Sequence, residues 1–439
     1  MVMNDCADAP TSSGAGTGTA TDIQRARRAA VAGGVGTLIE YYDFSLYGYL
    51  AVVMAPLFFP NDDPVISLLA ALAVFGSSYL IRPLGGIVFG HMGDRYGRKT
   101  ALVVVLACMG FASTAMGLLP TPAQAGIWAT VLLVVVRIVQ GFSAGGEVGG
   151  SATFISESAP ARLKATYGAF TPMGATGGFA LAAAVAATVS ALTTPEQMTA
   201  WGWRIPFLLA MPLTLFCLWV RNRVEETQVD TGPQQHSPIG LVFRRHGKAL
   251  AQATAISAAT NGTAYIGLTY MSIHLIQRLG YDPTPVYWVT TGAIGISALC
   301  MPLGGQLGDR IGVNRLMAAG LIGYFFLTYP MMAIMTDSLA VAAIAFLVIM
   351  MNTVATQVSA YTLLPQLFDQ PARYSGVAMA WNLGVIVMGG SAPFLAVWLI
   401  ERTGIILAPA FFVMGVALIG LIAVMSIRKS HGSSPKAPD

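Results

Sequence analysis

Five charged side chains lie deep within apolar stretches of this sequence, and all five fall in its first half. They are Glu40, Asp43, Arg82, Arg137 and Glu147. A charge at the centre of a bilayer costs at least about 2.5–3.5 kcal/mol on insertion scales, so we expect the five to meet in an interior cavity. Three acids face two arginines, which leaves one carboxylate beyond those that pairing can neutralise. Reversible protonation is the chemistry that such a cluster favours.

Glu40 and Asp43 are three residues apart and therefore share a helical face. Two carboxylates held together in a medium of low dielectric constant repel each other, which favours one of them keeping a proton. We predict that Glu40, Asp43, Glu147 and Arg137 couple proton movement, and the sequence does not decide which acid carries the proton. The alternative is that these charges form static salt bridges between helices.

Arg137 has the forked guanidinium that suits a carboxylate, which it can hold through two hydrogen bonds. Alternatively it pairs only with Glu40 or Asp43. Aromatic and amide side chains could complete a binding site, since aromatic rings attract an ammonium group, although such residues more often pack helices together. We interpret Arg82, followed by Pro83, as structural. The predicted substrate-binding residues are Arg137, Tyr42, Gln140, Asn261, Tyr265, Tyr270, Trp381 and Asn382.

Two glycine-spaced Asp-Arg turns indicate an internal duplication. Gly90-His-Met-Gly-Asp-Arg-Tyr-Gly-Arg-Lys99 and Gly305-Gln-Leu-Gly-Asp-Arg-Ile-Gly312 are offset by 215 residues, and the Pro-Ala-Arg sequences at 160–162 and 371–373 by 211. Two independent landmarks thus agree on a repeated unit of roughly 210 residues, which is the plan of a two-bundle membrane transporter.

The elements that must position these residues are membrane helices. Hydrophobic residues make up 55% of the chain and charged residues 10%, and twelve apolar runs are long enough to cross a bilayer. We therefore predict an all-α membrane protein with twelve transmembrane helices in two six-helix bundles. The expected divisions are a disordered cytoplasmic tail (1–28), the first bundle (29–220), a cytoplasmic linker (221–248), the second bundle (249–427) and a short cytoplasmic tail (428–439).

The distribution of basic residues predicts that both termini are cytoplasmic. With that orientation, 19 of the 24 Lys and Arg residues fall in cytoplasmic segments, as expected for loops that are not translocated. These cations are dispersed among short loops and form no basic face, so we predict no nucleic-acid partner. The expected location is the inner or plasma membrane, with lipid around a monomer.

Other chemistry finds no support in the sequence. No nucleophile elbow, Walker loop or dinucleotide-binding turn is present, and the five histidines and four cysteines show no metal-ligand spacing. We therefore expect no enzyme activity, no metal and no cofactor, with transport driven by a proton gradient.

Several motifs resemble a known family. Gly90 to Lys99 is similar to the loop signature of the major facilitator superfamily. The segments 39–44, 82–86, 137–147 and 201–207 look like hallmarks of its metabolite:proton symporter family. Ala259-Thr-Asn261 with Leu268-Thr-Tyr-Met271, and Arg373-Tyr-Ser-Gly376 with Asn382, are most similar to the proline/betaine transporter branch. The osmosensory members of that branch carry a C-terminal coiled coil, which 428–439 lacks, so we expect no osmotic gating of that kind.

The resemblance implies a role for the Asp-Arg turns as a latch between the two bundles. Glu157 would be the acidic partner of Arg98, or else an ordinary interface charge. The latch residues implied by the family are Gly90, Asp94, Arg95, Gly97, Arg98 and Glu157, with Asp309 and Arg310 in the repeat.

The function that the resemblance implies is proton-coupled symport, importing a small zwitterionic or carboxylate metabolite by alternating access. Two alternatives remain at this point. One is a proton/drug antiporter, against which the incomplete antiporter motif of 168–178 counts. The other is a sensor that binds its ligand without moving it.

Overall fold

A computed structural model describes residues 18–96, 98–145, 162–223, 246–369 and 372–431. Within these ranges the regular structure is helical and includes no strand. A helix satisfies its backbone hydrogen bonds within one segment, which is what a chain in hydrocarbon requires. The all-helical prediction is thus confirmed.

The first half contains six helical segments, where pieces that follow one another almost without interruption share a label. They are α1 (Gly18–Phe58), α2 (Pro64–Tyr96), α3 (Arg98–Gly117), α4 (Pro122–Ala125 and Ile127–Ala144), α5 (Lys164–Gly168 and Phe170–Leu192) and α6 (Pro195–Gln197 to Ala210–Arg223).

The second half repeats this order. It comprises α7 (Gly247–Tyr265, continued to Arg278), α8 (Pro283–Ile311), α9 (Val313–Ile334), α10 (Leu339–Leu363), α11 (Arg373–Gly384 and Ala392–Thr403) and α12 (Ala408–His431). The continuation of α7 includes two π-helical turns, Ile266–Tyr270 and His274–Arg278, and a third, Val385–Gly389, lies within α11.

Nine helices in the described residues are long and apolar enough to cross a membrane. The exceptions are α1, α7 and α3, of which α3 contributes a shorter apolar helix, Val103–Gly117. In α7 the side chains of Ser257, Thr260, Asn261 and Thr263 are all buried. A helix in the middle of a bundle meets protein on every side, so it needs less apolar surface than a helix that faces lipid.

The most extensive contacts between the halves are those of α5 with α8 and of α2 with α11. They are equivalent contacts, because α8 repeats α2 and α11 repeats α5 in the duplicated sequence. At Gly305 in α8 a Cβ atom would lie 2.6 Å from the Ala165 carbonyl oxygen of α5. This glycine therefore allows the two helices to approach closely.

The helices extend further than the predicted divisions of the chain. Residues 18–28, assigned to the tail, belong to α1, and 428–431 belong to α12. The expected linker loses residues at both ends, since α6 ends at Arg223 and α7 begins at Gly247. Hydropathy marks the apolar part of a span, whereas the helix itself can continue into water. The remaining parts of these segments, 1–17, 224–245 and 432–439, lie outside the described residues.

Candidate functional site

The two buried arginines of the first half rest on aromatic rings. The Cζ atom of Arg82 lies 4.2 Å from the ring centre of Phe44 and 4.6 Å from that of Tyr79. The Cζ atom of Arg137 lies 4.4 Å from the ring centre of Tyr47 and 5.0 Å from that of Phe44. Within the described part of the chain neither guanidinium has a carboxylate at ion-pair distance. Aromatic rings therefore surround both guanidinium groups through cation–π contacts.

Glycines bring the two arginines to the same ring. Gly141 of α4 faces the backbone of Ser78 in α2, and Gly85 of α2 faces the backbone of Phe142 in α4, both too closely for any Cβ. The two backbones are consequently in direct contact. Arg82 projects from α2 and Arg137 from α4, and α1 supplies Phe44.

Two neutral side chains extend from Arg137 by hydrogen bonds. The Arg137 Nη1 donates to Gln140 Oε1 at 3.0 Å, and Gln140 Nε2 donates to Ser113 Oγ at 2.8 Å. The Asp43 carboxyl group interacts electrostatically with Ser113 of α3, and its Oδ1 atom is buried without a hydrogen-bond partner among the described residues. Arg137, Gln140 and Ser113 thus form a hydrogen-bonded series beside Asp43. Ser113 is absent from the predicted site, because a lone serine in an apolar stretch carries no signal of its own.

Glu40 is buried, and it interacts electrostatically with Arg82. Arg82 also interacts with Tyr41, while its Nε and Nη2 atoms have no hydrogen-bond partner in the described ranges. The predicted meeting of embedded charges therefore involves Glu40, Asp43, Arg82 and Arg137. Glu147 lies outside the described residues.

Six rings form an aromatic cluster where the two halves meet. Phe179 is 5.9 Å from Tyr41 and 5.8 Å from Tyr265 between ring centres. The Tyr79 hydroxyl donates to the Tyr265 hydroxyl at 2.8 Å and so ties α2 to α7. Tyr361 in α10 interacts with Tyr41 across the halves. The interface aromatic cluster comprises Tyr41, Tyr79, Phe179, Tyr265, Tyr361 and Trp381, the last two with ring centres 4.7 Å apart.

Of the predicted substrate residues, Tyr265 and Trp381 belong to this cluster. The indole Nε1 of Trp381 is buried without a hydrogen-bond partner in the described structure. Asn261 Nδ2 and Asn382 Nδ2 each donate to a carbonyl oxygen one turn earlier in their own helix, at 2.9 Å. The structure therefore brings Tyr265 and Trp381 into one cluster, while Arg137 and Gln140, also of the predicted set, are hydrogen-bonded to each other.

Two predicted tyrosines have other partners. The Tyr42 hydroxyl donates to the carbonyl oxygen of Pro206 in α6 at 2.9 Å. The Tyr270 hydroxyl lies 3.2 Å from Nδ1 of His274, one turn further along α7. The contact of Tyr42 therefore joins α6 to α1.

Asp309 of the second Asp-Arg turn joins the two halves. Its carboxylate accepts the backbone N–H groups of Ala165 and Thr166 at 2.9 Å each and the Thr166 hydroxyl at 2.6 Å. These N–H groups lie in the first turn of α5, where backbone donors lack partners within the helix and a negative charge is favoured. At the opposite end of the same helix pair, the hydroxyl groups of Ser190 and Thr284 are 2.7 Å apart. The halves are therefore joined at both ends of α5 and α8.

The other predicted latch residues make few contacts in the described structure. Arg310 is exposed, as is Arg95, whose guanidinium lies over the Tyr96 ring at 5.4 Å. Gly90 is exposed, and a Cβ there would have open space around it. Gly97 and Glu157 lie outside the described residues, and so do the side chains of Asp94 and Arg98.

No group of three His, Cys, Asp or Glu side chains in the described ranges is arranged to hold a metal ion. The site consists of buried arginines, buried carboxylates and aromatic rings, and these groups are suited to binding small charged molecules and protons.

Comparison with known proteins agrees with this architecture. The family model for the Major Facilitator Superfamily matches residues 34–387. The proline/betaine transporter of Salmonella typhimurium is 34% identical, covering 96% of this chain and 88% of the relative. The glycine betaine/proline/ectoine/pipecolic acid transporter OusA of Dickeya dadantii is 35% identical over the same shares. The ectoine/proline transporter ProP of Corynebacterium glutamicum is 35% identical, covering 90% of this chain and 82% of the relative.

Solved structures show the same fold at low sequence identity. The xylose transporter XylE from E. coli, in a partially occluded inward-open conformation, has a TM-score of 0.72 and 16% identity and covers 94% of this chain and 100% of its own. The proton:xylose symporter XylE bound to 6-bromo-6-deoxy-D-glucose has a TM-score of 0.74 and 16% identity. The match covers 93% of this chain and 96% of that chain.

These relatives are named as transporters, which confirms the prediction of a multi-pass membrane transporter that is not an enzyme. Relatives above 30% identity span nearly the whole chain, as the motifs of α1, α2, α4 and α6 predicted. The chain therefore belongs to the Major Facilitator Superfamily, within its proline/betaine transporter branch.

Proposed function

We propose that this protein is a proton-coupled symporter that imports a small zwitterion of the proline and betaine type. In this proposal the chain crosses the plasma membrane twelve times with both termini in the cytoplasm. The two halves rock about a site near the bilayer midplane, and the inward proton gradient drives accumulation.

The observation that carries the proposal is the position of Arg82 beside the interface aromatic cluster. Its Nε and Nη2 atoms are buried, with no hydrogen-bond partner in the described residues, so a carboxylate could accept both of their hydrogen atoms. Tyr79 contacts this guanidinium and is bonded to Tyr265 of the second half. The cluster offers ring faces to a cationic nitrogen a few ångströms from the carboxylate. A zwitterion has both of these groups, and the relatives named above transport such compounds.

Arg82 fits the carboxylate better than Arg137, which was the expectation from the sequence. The Nε and Nη2 atoms of Arg137 also lack a hydrogen-bond partner in the described residues, so free donors do not distinguish the two arginines. The rings around Arg137 are Phe44, Tyr47 and Phe75, all in the first half, and its Nη1 atom is engaged by Gln140. Alternating access requires a substrate that touches both halves. In this proposal Arg82 holds the substrate, and Arg137 belongs to the proton-coupling network.

Asp43 and Glu40 are the proposed proton carriers, because both are buried on α1 within one turn of each other. Asp43 has no ion pair among the described residues, and its Oδ1 atom is buried there without a hydrogen-bond partner. A carboxyl group in that setting can gain and lose a proton without breaking a salt bridge.

The test is uptake into proteoliposomes that contain the purified protein. Radiolabelled proline and glycine betaine are offered with and without an inward proton gradient, and choline is offered as a cation that lacks the carboxylate. We expect accumulation of at least one zwitterion that a protonophore abolishes, and no accumulation of choline. Uptake that is indifferent to the protonophore, with sodium and membrane potential controlled, contradicts proton symport. Binding without uptake points to a sensor, and proton-driven extrusion points to an antiporter.

A further inference from the structure

We propose that the hydroxyl group of Tyr265 selects for substrates that carry a carboxylate, and that Tyr79 is the positioning residue that aims this hydroxyl group. The inference rests on the proposed function, in which Arg82 of the first half holds the substrate carboxylate. It adds a hydrogen-bond donor from the second half. One carboxylate would then be bound by both halves at once.

The hydroxyl groups of Tyr79 and Tyr265 form a pair with one hydrogen atom to spare. Tyr79 donates to Tyr265 at 2.8 Å, and this bond uses one of the two hydroxyl hydrogens. The other hydrogen belongs to Tyr265, and no acceptor among the described residues is bonded to it. Both side chains are buried, and a buried donor without an acceptor is unfavourable. A ligand that brings an acceptor would satisfy it.

The spare hydrogen lies near the spare donors of Arg82. Tyr79 and Arg82 are three residues apart, so they share a face of α2. The Cζ atom of Arg82 lies 4.6 Å from the centre of the Tyr79 ring, and the same ring carries the hydroxyl group that is bonded to Tyr265. A single tyrosine ring therefore separates the two sets of donors. A carboxylate has two oxygens, each able to accept more than one hydrogen bond, so it can use both sets.

Contacts with α1, α7 and α11 hold the Tyr79 ring in place. The ring centres of Phe44 and Tyr265 lie 5.1 Å and 5.7 Å from that of Tyr79, both in edge-to-face arrangements. On α11 a Cβ atom at Gly390 would lie 2.4 Å from Tyr79 Cδ2, so any side chain there would displace the ring. A ring confined in this way keeps its hydroxyl group in one position. The bond from Tyr79 thereby fixes the oxygen of Tyr265.

Two π-helical turns border these contacts. Tyr265 immediately precedes the turn Ile266–Tyr270 of α7, and Gly390 immediately follows the turn Val385–Gly389 of α11. Single π-helical turns inside α-helices occur frequently at functional sites. Both second-half helices are thus irregular where they meet Tyr79, as expected for a region that binds a ligand.

The test compares a zwitterion with the compound that lacks only its carboxylate. Proline is paired with pyrrolidine and glycine betaine with tetramethylammonium, and each affinity for the purified full-length protein is measured by titration calorimetry, with displacement titrations for the weak ligands. Tyr265→Phe removes the donor and keeps the ring. We expect it to weaken zwitterion binding by roughly 10- to 150-fold, as for a lost bond to a charged acceptor. Binding of the compound without the carboxylate should change by less than about 2-fold, because it depends on ring faces alone.

Two variants test the positioning role of Tyr79. Tyr79→Phe leaves the Tyr265 donor in place and removes the bond that aims it, so we expect a smaller loss of about 2- to 10-fold, again confined to the zwitterion. Gly390→Ala keeps both hydroxyl groups and displaces the Tyr79 ring, and it should act in the same direction. This variant also provides a test if Tyr265→Phe does not fold.

Each kind of change has a matched control. Tyr324→Phe removes another buried tyrosine hydroxyl of the second half, which lies 2.6 Å from the hydroxyl group of Thr353. Gly415→Ala adds a Cβ atom where the structure has open space. Both controls should keep wild-type affinity for every compound.

The inference is overturned if Tyr265→Phe weakens the zwitterion and the compound without the carboxylate equally, if it weakens neither, or if Tyr324→Phe causes the same selective loss. Wild-type affinities in both Tyr79→Phe and Gly390→Ala overturn the positioning role. A wild-type protein that prefers the zwitterion in neither pair also overturns the inference. Failure of the proposed function is distinguishable, because equilibrium binding needs no gradient and a lack of proton coupling appears only in the uptake experiment.

Discussion

Replacing Asp309 with Asn should loosen the contact between α5 and α8. In the structure one carboxylate accepts two backbone N–H groups and a hydroxyl of α5. The asparagine side chain has only one oxygen that can accept hydrogen bonds. Its NH2 group would face N–H and hydroxyl donors of α5, with which it cannot pair. At least one charge-assisted bond is lost, together with the attraction between the carboxylate and the positive helix end, for a cost of about 2 kcal/mol. This cost lowers the equilibrium constant for the state in which α5 and α8 are joined by about 30-fold.

The shift can be measured as a distance distribution. Spin labels at cysteines introduced at Arg162 and Arg315, both exposed on either side of the contact, would be read by double electron–electron resonance in a background without native cysteines. We expect Asp309→Asn to populate longer distances in the absence of substrate. Arg310→Gln is the matched control, because it removes an exposed charge from the neighbouring position. Identical distributions for the two variants would refute the assignment of Asp309 as a contact that holds the halves together.

Three further predictions follow from the site. Asp43→Asn should abolish the response of uptake to a pH gradient while leaving exchange of proline across proteoliposomes intact; accumulation equal to wild type would exclude Asp43 as a carrier. Arg82→Lys should weaken glycine betaine binding by roughly 10- to 150-fold in a calorimetric titration, because an ammonium cannot make the two-pronged contact, whereas Arg137→Lys should change affinity little. Equal losses in both variants would contradict the proposed division of roles. Tyr42→Phe should lower the free energy of unfolding by about 1 kcal/mol, through loss of the bond to Pro206, with unchanged substrate affinity. A large fall in affinity would return Tyr42 to the binding site.

Hydropathy and charge alone locate the embedded residues. Glu40, Asp43, Arg82 and Arg137 are conspicuous because a charge in an apolar stretch is costly, and the structure buries all four. The duplicated Asp-Arg turns likewise indicate that Asp309 lies at a junction between repeats, where it contacts α5.

The partners of those charges could not be read in the same way. Phe44 and Tyr47 look like ordinary apolar residues of a membrane helix, and only the tertiary arrangement shows that cations lie over their rings. Ser113 is small and neutral, so its contact with Gln140 depends on how α3 and α4 pack. Tyr42 matched the expected chemistry of a ligand contact, but the rotation of α1 directs its hydroxyl to α6.

The ring of Phe44 supports two cations, since Arg82 and Arg137 both lie over it. Mutations at these two positions are therefore not independent, because a change in one guanidinium alters the ring position and electrostatic field that the other experiences. A double-mutant cycle between them should show a non-additive effect on transport, and replacing Phe44 with Leu should remove much of that coupling. Sequence change at any one of the three positions alters the selective value of changes at the other two. In the terms of molecular evolution, the substrate arginine and the proton-side arginine are epistatic through a single side chain.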